Sequence, residues 1–152
     1  MSRPNYDRGE LTEPSLAREF VERTSVDALA VAIGTVHGIP RHPVVLDLVL
    51  LEGIGSNVQV PLVIHGASGV DDAQLLATVG LGVAKINYNA ELRRAYIGAL
   101  RTALETDRDD VVAIQLAAAS AMCAVARDKL ALLGGANIAP QLNFRCQEEG
   151  PS

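Results

Sequence analysis

Apolar residues are spaced differently in successive segments of the chain, and this spacing predicts alternating strands and helices. Segments that are apolar without alternation are typical of strands covered on both faces in a parallel sheet. These segments are residues 27–34, 58–64 and 83–87. Helical spacing predicts helices at 13–24, 43–54, 71–79 and 91–105, and a last one from Asp109 or Asp110 to Leu133. The order predicts an α/β fold with parallel strands, crossover helices and a C-terminal helix.

Polar or glycine-rich residues follow each predicted strand. The first strand leads into residues 34–38, the second into 65–69 and the third into 87–89. The carboxyl ends of parallel strands meet at one edge of a sheet, and the loops there are free to carry function. The sequence therefore predicts a ligand site at this edge.

Two histidines, His37 and His65, lie directly after apolar strands, and a glycine that lets a ligand approach the backbone follows each of them. Imidazoles on neighbouring strand ends suit a metal ion. A catalytic zinc takes three protein ligands and an open position, and the one further histidine is His42 in a loop. Two structural histidines that donate to backbone carbonyls are an equally good interpretation.

The loop Gly66-Ala67-Ser68-Gly69 precedes a helix that begins near Asp71. Its amides and the Ser68 hydroxyl are placed to bind an anion such as phosphate. Asn87 and Asn89 add uncharged donors at the next strand end. A plain turn in which Asn89 caps the following helix is the alternative.

Two further side chains are predicted to be structural. Lys85 lies within the third strand, so its ammonium should reach an end of the sheet or meet a carboxylate. Cys123 lies in the alanine-rich last helix and is predicted to be a small core residue. Neither is assigned a catalytic role.

Composition narrows the classes of function. The 152 residues are 49% apolar and 20% charged, which is typical of a folded chain. A net charge of −5 gives nucleic acid or an anionic membrane no broad basic surface, and no apolar run approaches the ~20 residues of a membrane span. Two cysteines and no leader-like segment at residues 1–10 predict a cytoplasmic protein.

Four motifs together resemble the class II, metal-dependent ketose-bisphosphate aldolases. They are DALAVAIGTVHG (27–38), PLVIHGASG (61–69), KINYNAELR (85–93) and RDKLALLG (127–134). The resemblance implies part of a TIM (β/α)8 barrel and cleavage of fructose or tagatose 1,6-bisphosphate into dihydroxyacetone phosphate and glyceraldehyde 3-phosphate. It implies Zn²⁺ as cofactor, with His37 and His65 as ligands. The implied substrate-binding residues are Gly38, Gly66, Ala67, Ser68, Asn87, Tyr88, Asn89 and Ala90.

The likeness covers about half of the family's barrel. The family's proton-transferring aspartate and a third zinc histidine come from an earlier strand, so no catalytic acid or base is assigned here and the isolated chain is expected to be inactive. Ala90 stands where the family commonly has threonine. The expected organisation is a tail at 1–10, a half-barrel at 11–139 and a tail at 140–152. Three strands cannot close a barrel, so a homo-oligomer or a complementing half-barrel chain is expected. The alternative is a non-catalytic sugar-phosphate-binding or assembly module.

Overall fold

The computed structural model describes residues 11–36, 38, 43–106 and 110–134, which form an α/β structure. Its strands are β1 (Leu29–Val31), β2 (Leu62–Ile64) and β3 (Val83–Ile86). Its helices are α1 (Pro14–Thr24), α2 (Leu48–Gly55), α3 (Asp72–Val79), α4 (Ala90–Glu105) and α5 (Val111–Leu132). The strands pair in parallel in the order β1-β2-β3, as predicted. The predicted tails at 1–10 and 140–152 lie outside the described residues.

The first two strands are shorter than the apolar runs that contain them. β1 occupies three residues of the predicted 27–34, and β2 three residues of the predicted 58–64. Pro61 lies just before β2 and has no N–H to donate to a neighbouring strand, although its carbonyl accepts a hydrogen bond from Leu29 N at 3.0 Å. Gly34, with φ 106°, ends the extended backbone after β1. Apolar composition therefore overestimates the paired length.

The second helix begins later than predicted, because residues before it are held by contacts with Val70 and with Gln74 on α3. Val44 forms a parallel bridge with Val70. The Gln74 side chain donates to Val44 O at 3.0 Å and accepts from Leu46 N at 2.8 Å. Asp47 then caps α2 by accepting a hydrogen bond from a backbone amide three residues later. The prediction of a helix from residue 43 is wrong because these tertiary contacts override helical spacing.

The hydrophobic core lies on one face of the sheet, where α1, α2 and α3 pack. Successive strand residues point to opposite faces, so every second residue of β1 and β2 contributes to it. Core members include Leu29, Val31, Leu51, Ile54, Leu62, Ile64 and Leu75. The other face carries Ala30, Val63 and Lys85 in register across the strands, and Ala30 and Lys85 are exposed. One face of the sheet is thus covered by helices and the other is partly open.

Helices α4 and α5 form a hairpin. Asp110 caps α5 by accepting from a backbone amide, and the Tyr96 hydroxyl on α4 donates to Gln115 Oε1 on α5 at 2.5 Å. Ile114 and Ala118 on the side of α5 that packs on α4 are buried. The outer face of α5 is apolar but exposed, and its large aliphatic residues are Val112, Leu116 and Leu130.

The exposure of α5 corrects one prediction. Cys123 lies exposed on α5 rather than in a core. The reason is that this helix is apolar on several sides and packs with only one of them. By length and by a mean hydropathy of 1.4, α5 would also pass as a membrane span, with 11% of its most apolar window buried. One such helix is weak evidence for a membrane, so the predicted absence of a span stays a prediction.

Candidate functional site

A cleft of about 480 Å³ opens at the carboxyl edge of the sheet, where the sequence predicts a ligand site. It lies between the ends of β2 and β3 and the first turn of α4. Its described lining residues are Gly38, His65, Gly66, Ser68, Ile86, Asn87, Tyr88, Asn89, Ala90 and Arg93. The predicted substrate-binding residues therefore lie together here, with the exception of Ala67.

The loop after β2 turns alternate residues to opposite sides. Gly66 and Ser68 line the cleft, whereas Ala67 is fully buried in the core and its amide donates to Asn87 O at 3.4 Å. Gly66 and Gly69 have φ values of 71° and 81°, a conformation that favours glycine. Both glycines are thus required by the turn, and Ala67 packs in the core, so its substrate-binding role stays a prediction.

Ser68 caps helix α4 from a distance in sequence. Its side chain is 2% exposed, and its Oγ accepts hydrogen bonds from Ala90 N at 3.1 Å and Glu91 N at 3.4 Å. Asn89 occupies the cap position, but its side chain makes no capping bond. The alternative in which Asn89 caps the helix is therefore wrong. A hydroxyl that accepts two hydrogen bonds keeps one proton to donate, so Ser68 can still donate to a ligand in the cleft.

Glu91 is a functional candidate that sequence reasoning missed. Its Oε1 accepts from Gly69 N at 2.8 Å, and its Oε2 accepts from the Tyr88 hydroxyl at 2.6 Å. An acidic residue in the first turn of a helix is a common feature that favours the helix dipole. The sequence therefore indicated that Glu91 lies at the start of a helix, but nothing in it indicated that Glu91 contacts the loop after β2.

Tyr88 joins this carboxylate to the end of α5. The Lys129 ammonium lies 5.4 Å from the centre of the Tyr88 ring and forms an ion pair with Asp72 on α3 at 2.5 Å. Burial, the hydrogen bond to Glu91 and the negative charges of Glu91 and Asp72 all raise the pKa of Tyr88 above its ordinary value. Tyr88 therefore remains a neutral hydrogen-bond donor at neutral pH.

His65 and Asn87 contact each other at the floor of the cleft. Asn87 Nδ2 lies 2.9 Å from His65 Nδ1 and 3.3 Å from Nε2. The Lys85 ammonium donates to Asn87 Oδ1. Lys85 thus reaches the carboxyl end of the sheet, one of its two predicted positions, and its partner is an amide rather than a carboxylate. This bond turns the Asn87 amino group towards the imidazole.

Of the histidines predicted to suit a metal ion, the structure describes His65. His65 places an exposed imidazole on the cleft, which suits zinc. His37 and His42 lie outside the described residues. Within the described part of the chain, no three side chains of the His, Cys, Asp and Glu types come together. His65 therefore fits as one ligand, and the His37–His65 pair stays a prediction.

Arg93 is the second residue that sequence reasoning missed. It lies in the first turn of α4 and lines the cleft beside Ala90. A guanidinium is well suited to bind phosphate because its planar donors match the phosphate oxygens. The sequence feature that could have pointed to Arg93 is its position within the KINYNAELR motif, three residues after Ala90.

The fold and the cleft define an α/β barrel segment with a polar site at the carboxyl ends of its strands. Residues 4–138 match the family described as fructose-bisphosphate aldolase class-II. The chain belongs to this family of aldolases, and the predicted family is confirmed.

Solved structures agree with the family and the fold. The YdjI aldolase from Escherichia coli K12 matches with a TM-score of 0.74 and 36% sequence identity, over 84% of this chain and 46% of that chain. A fructose-bisphosphate aldolase from Campylobacter jejuni matches with a TM-score of 0.72 over the same shares of the two chains; at 18% identity it shows the fold alone. The chain thus spans about half the length of these neighbours, and the predicted partial TIM (β/α)8 barrel is confirmed.

Proposed function

We propose that this chain carries the sugar-phosphate side of a class II ketose-bisphosphate aldolase site. The reaction is the reversible cleavage of fructose or tagatose 1,6-bisphosphate to dihydroxyacetone phosphate and glyceraldehyde 3-phosphate. The observation that carries this proposal is the cleft at the carboxyl edge of the sheet, where Ser68 and Arg93 lie together. Family membership supports the reaction class.

The phosphate of the substrate binds between the loop after β2 and the first turn of α4. Ser68 donates its remaining hydroxyl proton, and Arg93 supplies positive charge. The amino end of α4 adds its dipole, which favours an anion at this position. A phosphate held in this way orients the reacting carbons, so that binding energy is used to position the substrate.

Zinc is the proposed cofactor, and His65 and His37 are its proposed ligands in this chain. When bound, the ion supplies the Lewis acidity that carbon–carbon cleavage next to a carbonyl requires. Asn87 donates to an imidazole nitrogen of His65, and a nitrogen that accepts this bond has no lone pair left for a metal. Asn87 therefore has to release that nitrogen before it can serve as a ligand, and its amino group then becomes free to donate to substrate.

The proton-transfer step needs an acid or base that the described residues of the cleft lining do not supply as a carboxylate. The described residues that line the cleft include no carboxylate. We place the acid or base in the remaining part of the barrel, either in the same polypeptide or in a complementing half-barrel chain. The 152-residue chain is then inactive alone.

The same observation favours a second candidate. A cleft without a carboxylate among its described lining residues suits a non-catalytic module that binds sugar phosphates and assembles with itself or with a partner chain. This module differs from the first candidate in one respect: supplying the other half of the barrel would not produce cleavage.

The proposal is tested with the 152-residue chain loaded with zinc. Calorimetry should show binding of dihydroxyacetone phosphate, and a coupled assay should show no cleavage of fructose 1,6-bisphosphate. Addition of the amino-terminal half of a family barrel should restore cleavage if the first candidate is right. Failure to bind dihydroxyacetone phosphate would contradict both candidates. Turnover by the chain alone, at a rate similar to that of a full-length family enzyme, would contradict the need for an outside acid or base.

A further inference from the structure

The carboxylate of Glu91 binds the glycine-rich loop at Gly69, which is not among the described residues that line the cleft. Gly66 and Ser68 face the ligand space, whereas Gly69, whose amide binds Glu91, and Glu91 itself do not line it. An acidic group that faced a phosphate would repel it. Glu91 is instead placed to hold the loop through the amide of Gly69.

The loop and the first turn of α4 exchange hydrogen bonds in both directions. Ser68 Oγ accepts from the amides of Ala90 and Glu91, and the Glu91 side chain accepts from the amide of Gly69. This resembles the reciprocal pattern of a capping box, except that the carboxylate accepts from Gly69, the residue that follows the hydroxyl-bearing Ser68. Here Ser68 and Glu91 are 23 residues apart and belong to different segments. The pattern therefore fixes the loop relative to α4, and Arg93 lies on the same turn.

The second carboxylate oxygen is also held. Glu91 Oε2 accepts from the Tyr88 hydroxyl, and Lys129 contacts the face of the same ring while it pairs with Asp72. Both oxygens of Glu91 thus have donors, and one of these donors, the Tyr88 hydroxyl, belongs to a residue that lines the cleft. The side chain is restrained in the position where it binds the loop.

We propose that Glu91 is a positioning residue, which orients Gly66 and Ser68 for the anion by binding the Gly69 amide of their loop. This inference rests on the proposed function, because it concerns the phosphate side of that site. It assigns to Glu91 no contact with substrate. The carboxylate acts through the Gly69 amide and the Ser68 hydroxyl.

Two substitutions separate positioning from a charge effect. Glu91→Gln keeps an oxygen that accepts from Gly69 N, and its amino group can donate to the Tyr88 hydroxyl. Glu91→Ala removes the bond altogether. The matched control is Glu105→Gln, which removes the same charge at the other, exposed end of α4.

The measurements are the dissociation constant for dihydroxyacetone phosphate and hydrogen exchange at the amides of residues 66–69, both by NMR on the full 152-residue chain. We expect Glu91→Ala to weaken binding about tenfold and to speed exchange at Gly69. We expect Glu91→Gln and Glu105→Gln to bind within about twofold of the original chain.

Other results would overturn the inference. If Glu91→Ala and Glu91→Gln both bound more tightly, Glu91 would act by repelling the anion. If Glu91→Ala left the dissociation constant and the exchange rates at residues 66–69 unchanged, the Glu91 carboxylate would not hold the loop. If Glu91→Ala does not fold, Glu91→Asp, whose shorter side chain should lengthen the bond to Gly69, is measured in its place. Should the original chain not bind the ligand, the proposed function fails, and hydrogen exchange still tests whether Glu91 holds the loop.

Discussion

The rim of the cleft differs from the outer face of α5 in the contacts that the side chains make. This rim consists of the loop after β2, residues 87–89 and the first turn of α4. At the rim, Ser68, Tyr88 and Glu91 hydrogen-bond to neighbouring segments at distances of 2.6 to 3.4 Å. On α5, the side chains of Leu116 and Leu130 are 62% and 55% exposed. The chain therefore concentrates specific polar contacts where the ligand is proposed to bind and leaves apolar surface uncovered on the hairpin.

This difference shows which part of the molecule holds its side chains in defined positions. Every buried side-chain nitrogen or oxygen in the described part of the chain has a hydrogen-bond partner, so the polar groups near the rim are held in defined positions. The outer face of α5 contributes little burial, and regions with few buried contacts are those that open most readily.

The largest effect is expected from truncation of a central core residue compared with one on the outer face of α5. Ile64 on β2 is fully buried, so Ile64→Ala should lower the free energy of unfolding by about 2–5 kcal/mol. Leu116→Ala should change it by no more than about 0.5 kcal/mol. Urea unfolding of both variants measures this. A similar loss for both would mean that something covers the outer face of α5 in solution.

The next effect concerns charge at the cleft. Arg93→Gln should weaken binding of dihydroxyacetone phosphate about tenfold, because it removes a charge-assisted contact with the phosphate. Arg101→Gln is the control, since Arg101 lies on the same helix and outside the cleft lining. Calorimetry at two salt concentrations measures both. Equal losses for the two variants would indicate a general effect of charge on α4 instead of a specific contact.

Removal of the Ser68 hydroxyl should have a moderate effect on stability. Ser68→Ala leaves the amides of Ala90 and Glu91 without their acceptor, which should cost about 1 kcal/mol. Ser120→Ala, on the exposed surface of α5, should be close to neutral. Thermal unfolding of the two variants provides the comparison. A neutral Ser68→Ala variant would show that the cap does not stabilise the rim.

The smallest effect depends on pH. The folded pKa of Tyr88 lies above the unfolded value near 10, so the unfolded chain releases this proton first. The contribution of Tyr88 to stability should be complete below about pH 10 and should decline as the pH rises further. Urea midpoints of the original chain and of Tyr88→Phe should therefore differ by a constant amount below about pH 10 and converge between about pH 10 and about pH 12. A constant difference across this range would contradict the raised pKa.

Much of the fold could be predicted because burial leaves a clear pattern. Three apolar runs without alternation marked the parallel strands, and the residues after them marked the ligand edge. The start of α2 could not be predicted, since the apolar residues before Asp47 also fit helical spacing, and the contacts of Val44 and Gln74 with distant residues decide their conformation. Cys123 was placed in a core because α5 is apolar on several sides, and spacing does not tell which side packs.

The location of the candidate site could be predicted from the sequence, but its hydrogen bonds could not. The residues that line the cleft come from segments that end at the same edge, which the topology alone indicates. The bonds of Ser68 and Glu91 join residues 22 or 23 apart, and no local pattern connects them. Arg93 was within the family motif, yet its role depends on which face of α4 lines the cleft.

The exposed thiol of Cys123 gives experimental access to the cleft from outside it. Cys123 lies on α5, and the end of that helix contacts Tyr88 and Asp72 through Lys129. With Cys146 replaced by serine, a fluorophore attached at Cys123 would stand on a helix joined to the rim without occupying it. Ligand-dependent changes in its emission would then report whether events at the cleft are transmitted to the hairpin.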